Sequence, residues 1–177
     1  MNRKSLFVVA LALVSLSAWA QMVPKPGPEV KKLDYFAGTW TTEATIAQGP
    51  WGAGGKFTSI GTSEWMDGGF YLVSHADFKM PPELGGDGKE IDVMGYDTQE
   101  NTYILEGFNS QGNHESSKGT VSADTWTWTS QANYGGQDIQ QKMTIKIVSP
   151  TSYSFKFEVS MDGTNWMTFM DGKATKK

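Results

Sequence analysis

The sequence predicts an all-β protein, a single antiparallel up-and-down β-barrel of about ten strands. Three observations predict it. From Thr39 onward, apolar and polar residues alternate with a period of two between turn residues, the pattern of half-buried strands. Short turn signals join consecutive segments, which implies hairpins between neighbours. Closing such a sheet removes its exposed edges and so favours a barrel. No segment keeps a helical period, which disfavours parallel α/β folds.

The chain of 177 residues opens with Arg3 and Lys4, then an apolar run from Leu6 to Ala18, then Ala18-Trp19-Ala20. This is the anatomy of a cleaved secretory leader, so residues 1–20 are expected to be a signal peptide and the protein periplasmic or secreted. The run is shorter than the ~20 apolar residues that span a bilayer, and no later stretch is apolar enough to do so. Without cysteine the chain has neither disulfides nor a lipobox thiol. Residues 21–32, rich in proline at the start, read as an extended lead-in, with a short helical turn available over 29–36. Residues 33–177 form the barrel domain, a length that suits one core.

Strands are expected near 39–47, 56–65, 70–79, 90–97, 102–109, 114–122, 125–131, 139–149, 152–161 and 165–173. Asp67-Gly68-Gly69, Ala123-Asp124 and Asp162-Gly163 are the turn signals, the last expected as a tight hairpin. The glycine- and proline-rich segments 48–55 and 81–88 read as loops at barrel ends, either plain connectors or a lid over a barrel mouth with Trp51 touching a ligand.

Arg3 is the sole arginine of the chain, and the 19 acidic residues outnumber the 15 basic ones. An acidic protein without a basic patch is not expected to bind nucleic acid or an anionic membrane surface, and without arginine a dedicated phosphate site is disfavoured.

Leu33-Asp34-Tyr35-Phe36-Ala37-Gly38-Thr39-Trp40 resembles the opening of the calycin superfamily, which includes lipocalins and nitrobindin-like barrels. The same block, with Asp67-Gly68-Gly69-Phe70, Gly95-Tyr96-Asp97 and Asp162-Gly163-Thr164-Asn165-Trp166, is similar to a domain-of-unknown-function family of secreted bacterial barrels. The resemblance implies a fold and a compartment. In lipocalins a late-strand arginine covers the Gly-x-Trp indole; here Lys156 or Lys173 is expected to substitute through a cation–π contact. Nitrobindin-like relatives hold haem through a histidine, but neither His75 nor His114 matches that position.

Candidate chemistry is sparse. On its strand His75 shares a face with Tyr71 and Asp77, while Leu72, Ser74, Ala76 and Phe78 form the more apolar face, so His75 is expected to face solvent. His114 follows a turn-like run and is expected at the barrel rim. There is no Gly-x-Ser-x-Gly elbow and no His-Glu-x-x-His, and two isolated histidines do not make a zinc site. No catalytic residue, metal or cofactor is expected. The aromatic residues are the better lead, because a small barrel is either filled by its side chains or encloses a ligand. The expected ligand-binding set is Trp40, Trp65, Tyr96, His114, Trp126, Trp128, Phe155 and Phe157, and Trp166 is expected on the inner face of the last strand. The function expected is non-catalytic binding of a small apolar or aromatic molecule. The alternatives are a lipocalin-like isomerase or hydrolase using His75, Asp77 or His114, a haem-binding barrel, or a filled barrel acting as a protein-interaction module.

Overall fold

The structure, a computed structural model, describes residues 24–177 apart from Trp51 and Gly135. The leader 1–20 and the expected ligand contact of Trp51 lie outside the described residues. Ten strands follow one another: β1 (Gly38–Ile46), β2 (Gly55–Trp65), β3 (Leu72–Lys79), β4 (Gly88–Asp97), β5 (Thr102–Asn109), β6 (His114–Ser122), β7 (Thr125–Tyr134), β8 (Gln137–Ser149), β9 (Ser152–Ser160) and β10 (Met167–Lys176). Each pairs antiparallel with its neighbour in sequence. β1 pairs with β10 as well as β2, so the ladder closes on itself. The barrel is the up-and-down one that the alternation predicts.

Before β1 lie a single helical turn, α1 (Pro28–Lys31), and a 3₁₀ turn over Lys32–Phe36. The extended lead-in thus ends at Gly27 rather than at residue 32. Pro28 occupies the first helical turn, where its missing N–H is not needed. Val30, Leu33 and Phe36 recur every third residue, the spacing that eclipses side chains in a 3₁₀ helix, and all three are buried. This apolar edge drops into one end of the barrel as a plug.

The hairpins follow the turn signals with one exception. Ala123, at φ 52, turns β6 directly into β7. Asp162-Gly163 does not make a two-residue hairpin: residues 161–166 connect β9 to β10. The Asp162 carboxylate accepts the backbone N–H groups of Thr164 and Asn165 at 2.8 Å each, and these bonds hold its carboxyl well below the usual range. Aspartate builds its own turn this way, so β10 starts only at Met167. Trp166 falls in that loop, off the inner face, with the Lys142 ammonium 4.1 Å from its ring centroid.

Candidate functional site

The plugged end is packed solid. Leu33 and Leu72 are 0% exposed and Trp126 is 2% exposed, and they meet Phe36, Met94, Tyr103 and Trp128 in one cluster. The polar groups drawn in with them are satisfied. Trp40 Nε1 donates to the Phe36 carbonyl at 2.9 Å, and Trp65 Nε1 donates to Asp34 at 2.8 Å. The Tyr35 hydroxyl lies 3.0 and 2.9 Å from the carbonyls of Ser149 and Ser152.

The Gly-x-Trp signature acts here. Gly38 sits at φ +102, and a Cβ there would lie 3.5 Å from the Lys176 side chain. Lys176, which is opposite Trp40 in the β1–β10 ladder, reaches back so that Nζ is 5.2 Å from the Trp40 ring centroid and donates to the Tyr35 carbonyl at 3.1 Å. The cation over the indole is therefore Lys176, not Lys156 or Lys173. Those two lie on the outer wall, Lys156 3.0 Å from Glu158 and Lys173 3.9 Å from Glu43.

Above this floor the barrel is hollow. A lower chamber of about 260 Å³ rests on Phe36, Trp40 and Trp128. An upper chamber of about 340 Å³ reaches Phe57, Phe155, Phe157 and Phe169. Eight residues, among them Thr42, Ser59, Met143, Ile145 and Tyr153, line both, so the space is continuous. A side annex of about 250 Å³ opens past Phe157 and Phe169 toward Leu84 and Gln141.

The void has a local cause in side-chain volume. The inward positions in the middle of β2 and β3 are Ser59, Gly61, Ser63, Ser74 and Ala76, all small. The facing strands β7 to β9 contribute Trp128, Met143, Ile145 and Tyr153. Alternating small and large residues would fill a barrel of this kind; here the small ones are gathered on one wall.

That hollow also holds three carboxylates. Glu90 and Asp92 point inward from β4 and Glu115 from β6, and all three line both chambers. Asp92 lies over Gly107 of β5, where a Cβ would come within 2.8 Å of its Oδ1. Burial first, then the charges of Glu90 and Glu115, push the Asp92 carboxyl up to about 8. Burial and then Glu115 raise Glu90 in the same sense. These are the expected effects of desolvation and like charge. Glu115 Oε1 accepts the Ser117 hydroxyl at 2.6 Å and lies 3.3 Å from that of Ser130. Tyr153 faces the same space, and burial, then Tyr35 and Asp92, push its hydroxyl up to about 12.

The expected binding residues separate into three groups. Trp40, Trp128, Phe155 and Phe157 line the hollow. Trp65, Tyr96 and Trp126 belong to the packed floor, with Tyr96 edge-on to Tyr103 at 4.9 Å. His114 is outside the barrel, exposed, stacked on Phe108 at 4.8 Å and 2.8 Å from Glu106. Strand β6 begins at His114 itself, so alternation turns Glu115 and Ser117 inward and His114 out. His75 is exposed on the outer face of β3, and Asp77 pairs there with Lys89. Neither histidine reaches the hollow.

Sequence reasoning missed Glu90, Asp92 and Glu115. Their signal lies in the phase of β4: Met94 and Tyr96 belong with the floor, and stepping back by twos from Met94 arrives at Asp92 and Glu90. Apolarity points the other way, toward Ile91 and Val93, yet Ile91 is 43% exposed.

A closed ten-stranded barrel with a plugged floor and a lined interior defines the class of protein. The chain belongs to the family described as protein of unknown function (DUF1579), whose model matches residues 25–176. Among solved structures, the crystal structure of Rv2717c from M. tuberculosis is similar at a TM-score of 0.61 and 10% identity, over 85% of this chain and 98% of that one. This likeness shows the fold. A structure of EF1p2_mFAP2b bound to DFHBI matches at a TM-score of 0.35 and 15% identity, over 84% of this chain and 98% of that one. No curated protein matches the chain. Among the described residues no helix is long and apolar enough to cross a membrane.

Proposed function

We propose that the protein is an exported, non-catalytic barrel that holds a small molecule with an apolar or aromatic body in its interior. The observation that carries this reading is the continuous hollow over the Phe36–Trp40–Trp128 floor. Its chambers have the scale and mixed lining of small-molecule sites, mostly apolar with a few placed polar groups. A barrel serving purely as an interaction module has no need of that void, and the enzyme reading loses its residues, since His75, Asp77 and His114 all face outward. Export and loss of residues 1–20 belong to the same proposal and rest on the leader.

Native mass spectrometry of the protein purified gently from its producing cells tests the reading. The expected result is a chain lacking residues 1–20 and carrying an adduct of roughly a few hundred daltons, the size such a pocket accepts. A bare chain that also fails to take up a neutral solvatochromic dye such as Nile red would overturn it.

A further inference from the structure

The hollow is acidic on one wall and carries no balancing cation. Glu90, Asp92 and Glu115 line it, and among its described lining residues there is no lysine, arginine or histidine. The nearby lysines are engaged outside, Lys89 with Asp77, Lys118 with Glu100, and Lys142 and Lys156 with Glu158. Desolvating the Glu90 and Asp92 carboxylates without a counter-charge is costly, and Gly107 leaves the room that lets Asp92 stay there. A metal ion does not fit the spread of these groups: among the described residues no three acidic or histidine side chains come close enough to hold one.

A second observation is independent of the carboxylates. Gln141 is 9% exposed and faces the annex. Its carbonyl oxygen accepts the Ser130 hydroxyl at 2.9 Å, while its amide nitrogen has no protein acceptor among the described residues. The Tyr153 hydroxyl, in the wall of both chambers, likewise makes no hydrogen bond to a described residue. Of these two groups the Tyr153 hydroxyl is the one at the hollow itself, while Gln141 lines the annex alone. Trp40, Trp128 and Tyr153 line the lower chamber, and the electron-rich faces of such rings attract organic cations.

We propose that the ligand is an organic cation, an amine or amidine whose charged end faces the wall formed by Glu90, Asp92 and Glu115 while its apolar body lies against Trp40, Trp128 and Tyr153. This deepens the small-molecule reading and rests on it. The cation site is faced by Glu90 and Asp92 from β4, Glu115 from β6 and Tyr153 from β9, with the neutral Ser74 on β3 and Gly107 on β5. Binding a cation draws Asp92 into its ionised form, so a proton leaves as the amine arrives.

The test is calorimetric and fluorimetric titration of the wild-type protein with matched pairs: 2-phenylethylamine against 2-phenylethanol, and 1-naphthylmethylamine against 1-naphthylmethanol and 1-naphthoate. The amines are expected to bind at least tenfold tighter than the alcohols, with the carboxylate weakest. Amine affinity should rise between pH 6 and 8 by up to tenfold per pH unit, the limit for one released proton. Asp92→Asn and Glu90→Gln should remove the preference and keep binding of the alcohols. Alcohols or naphthoate binding as tightly as the amines would overturn the cation assignment and leave the small-molecule reading standing. Binding of none of them, together with a bare native mass, would overturn both.

Discussion

The two halves of the barrel interior are built from the same ten strands and the same alternation, yet one half is solid and the other hollow. At the plugged end each inward ring meets another ring or an apolar residue of the 28–36 segment: Phe36 packs edge-on to Trp126 at 5.2 Å, and Trp126 to Tyr103 at 4.7 Å. One turn of barrel higher, the bulky residues of β7 to β9 face serine, alanine and glycine across the interior. The hydrogen bonds differ in the same way. At the floor, Trp40 and Tyr35 are tied to backbone carbonyls and Trp65 to Asp34, while in the hollow Ser63 and Ser74 bond each other at 2.5 Å and Glu115 collects hydroxyls. Stability and binding are therefore assigned to different heights of one sheet, and volume along β2 and β3 draws the line between them.

The sharpest way to break that division is to empty the floor. Trp40→Ala removes a ring packed 5.0 Å from Tyr153 and 5.5 Å from Tyr35, the Nε1 bond to Phe36, and the seat of Lys176. The expected loss is ~3–5 kcal/mol, the range for deleting a large buried aromatic. Urea denaturation measures it, and a midpoint near wild type would show that the plug does not bear on global stability.

A smaller effect comes from adding volume at each height. Gly119→Ala places a methyl 2.5 Å from the Trp128 ring, in packed surroundings, and is expected to cost about 1–3 kcal/mol as overpacking. Ala76→Leu fills the hollow beside Gly61. It is expected to leave stability within about 1 kcal/mol, since there is space to fill, and to abolish uptake of Nile red or of the amines. Equal costs for the two substitutions in thermal melts would mean that the upper barrel is as tightly packed as the lower.

Strand positions, the closed topology and the outward placement of His75 were legible in the alternation because period two responds to burial alone. The rings of the floor were legible as inward for the same reason. What alternation does not report is whether an inward ring meets another ring or a void, because that depends on side chains several strands away. Trp126 and Trp128, two residues apart, both belong to the packed cluster, yet only Trp128 also borders the hollow. The acidic wall was hidden by the same rule that revealed the fold: inward faces are expected to be apolar, and β4 turns Glu90 and Asp92 in while leaving Ile91 exposed. Lys176 was missed because its role depends on the register that places it opposite Trp40, which the late start of β10 sets.

The least costly change to the hollow, and the most informative about its charge, is Asp92→Asn. In the unfolded chain this carboxyl titrates near pH 4, and in the folded barrel it is pushed up to about 8. Between those values the native state holds a proton that the unfolded chain has released. The stabilising difference is complete below about pH 4 and is lost as pH rises through about 8. The wild-type protein should therefore lose stability from pH 5 to pH 9. Asp92→Asn should flatten that slope without erasing it, because Glu90 is raised in the same direction. Water reaching the chambers screens these charges, so the variant's gain over wild type is expected to be about 1 kcal/mol at pH 9 and close to nothing at pH 5. Melting temperatures across that range measure it. Parallel slopes would mean that the carboxylate is solvated as on the outer wall, and the contrast between a packed floor and an acidic hollow would then reduce to one of volume.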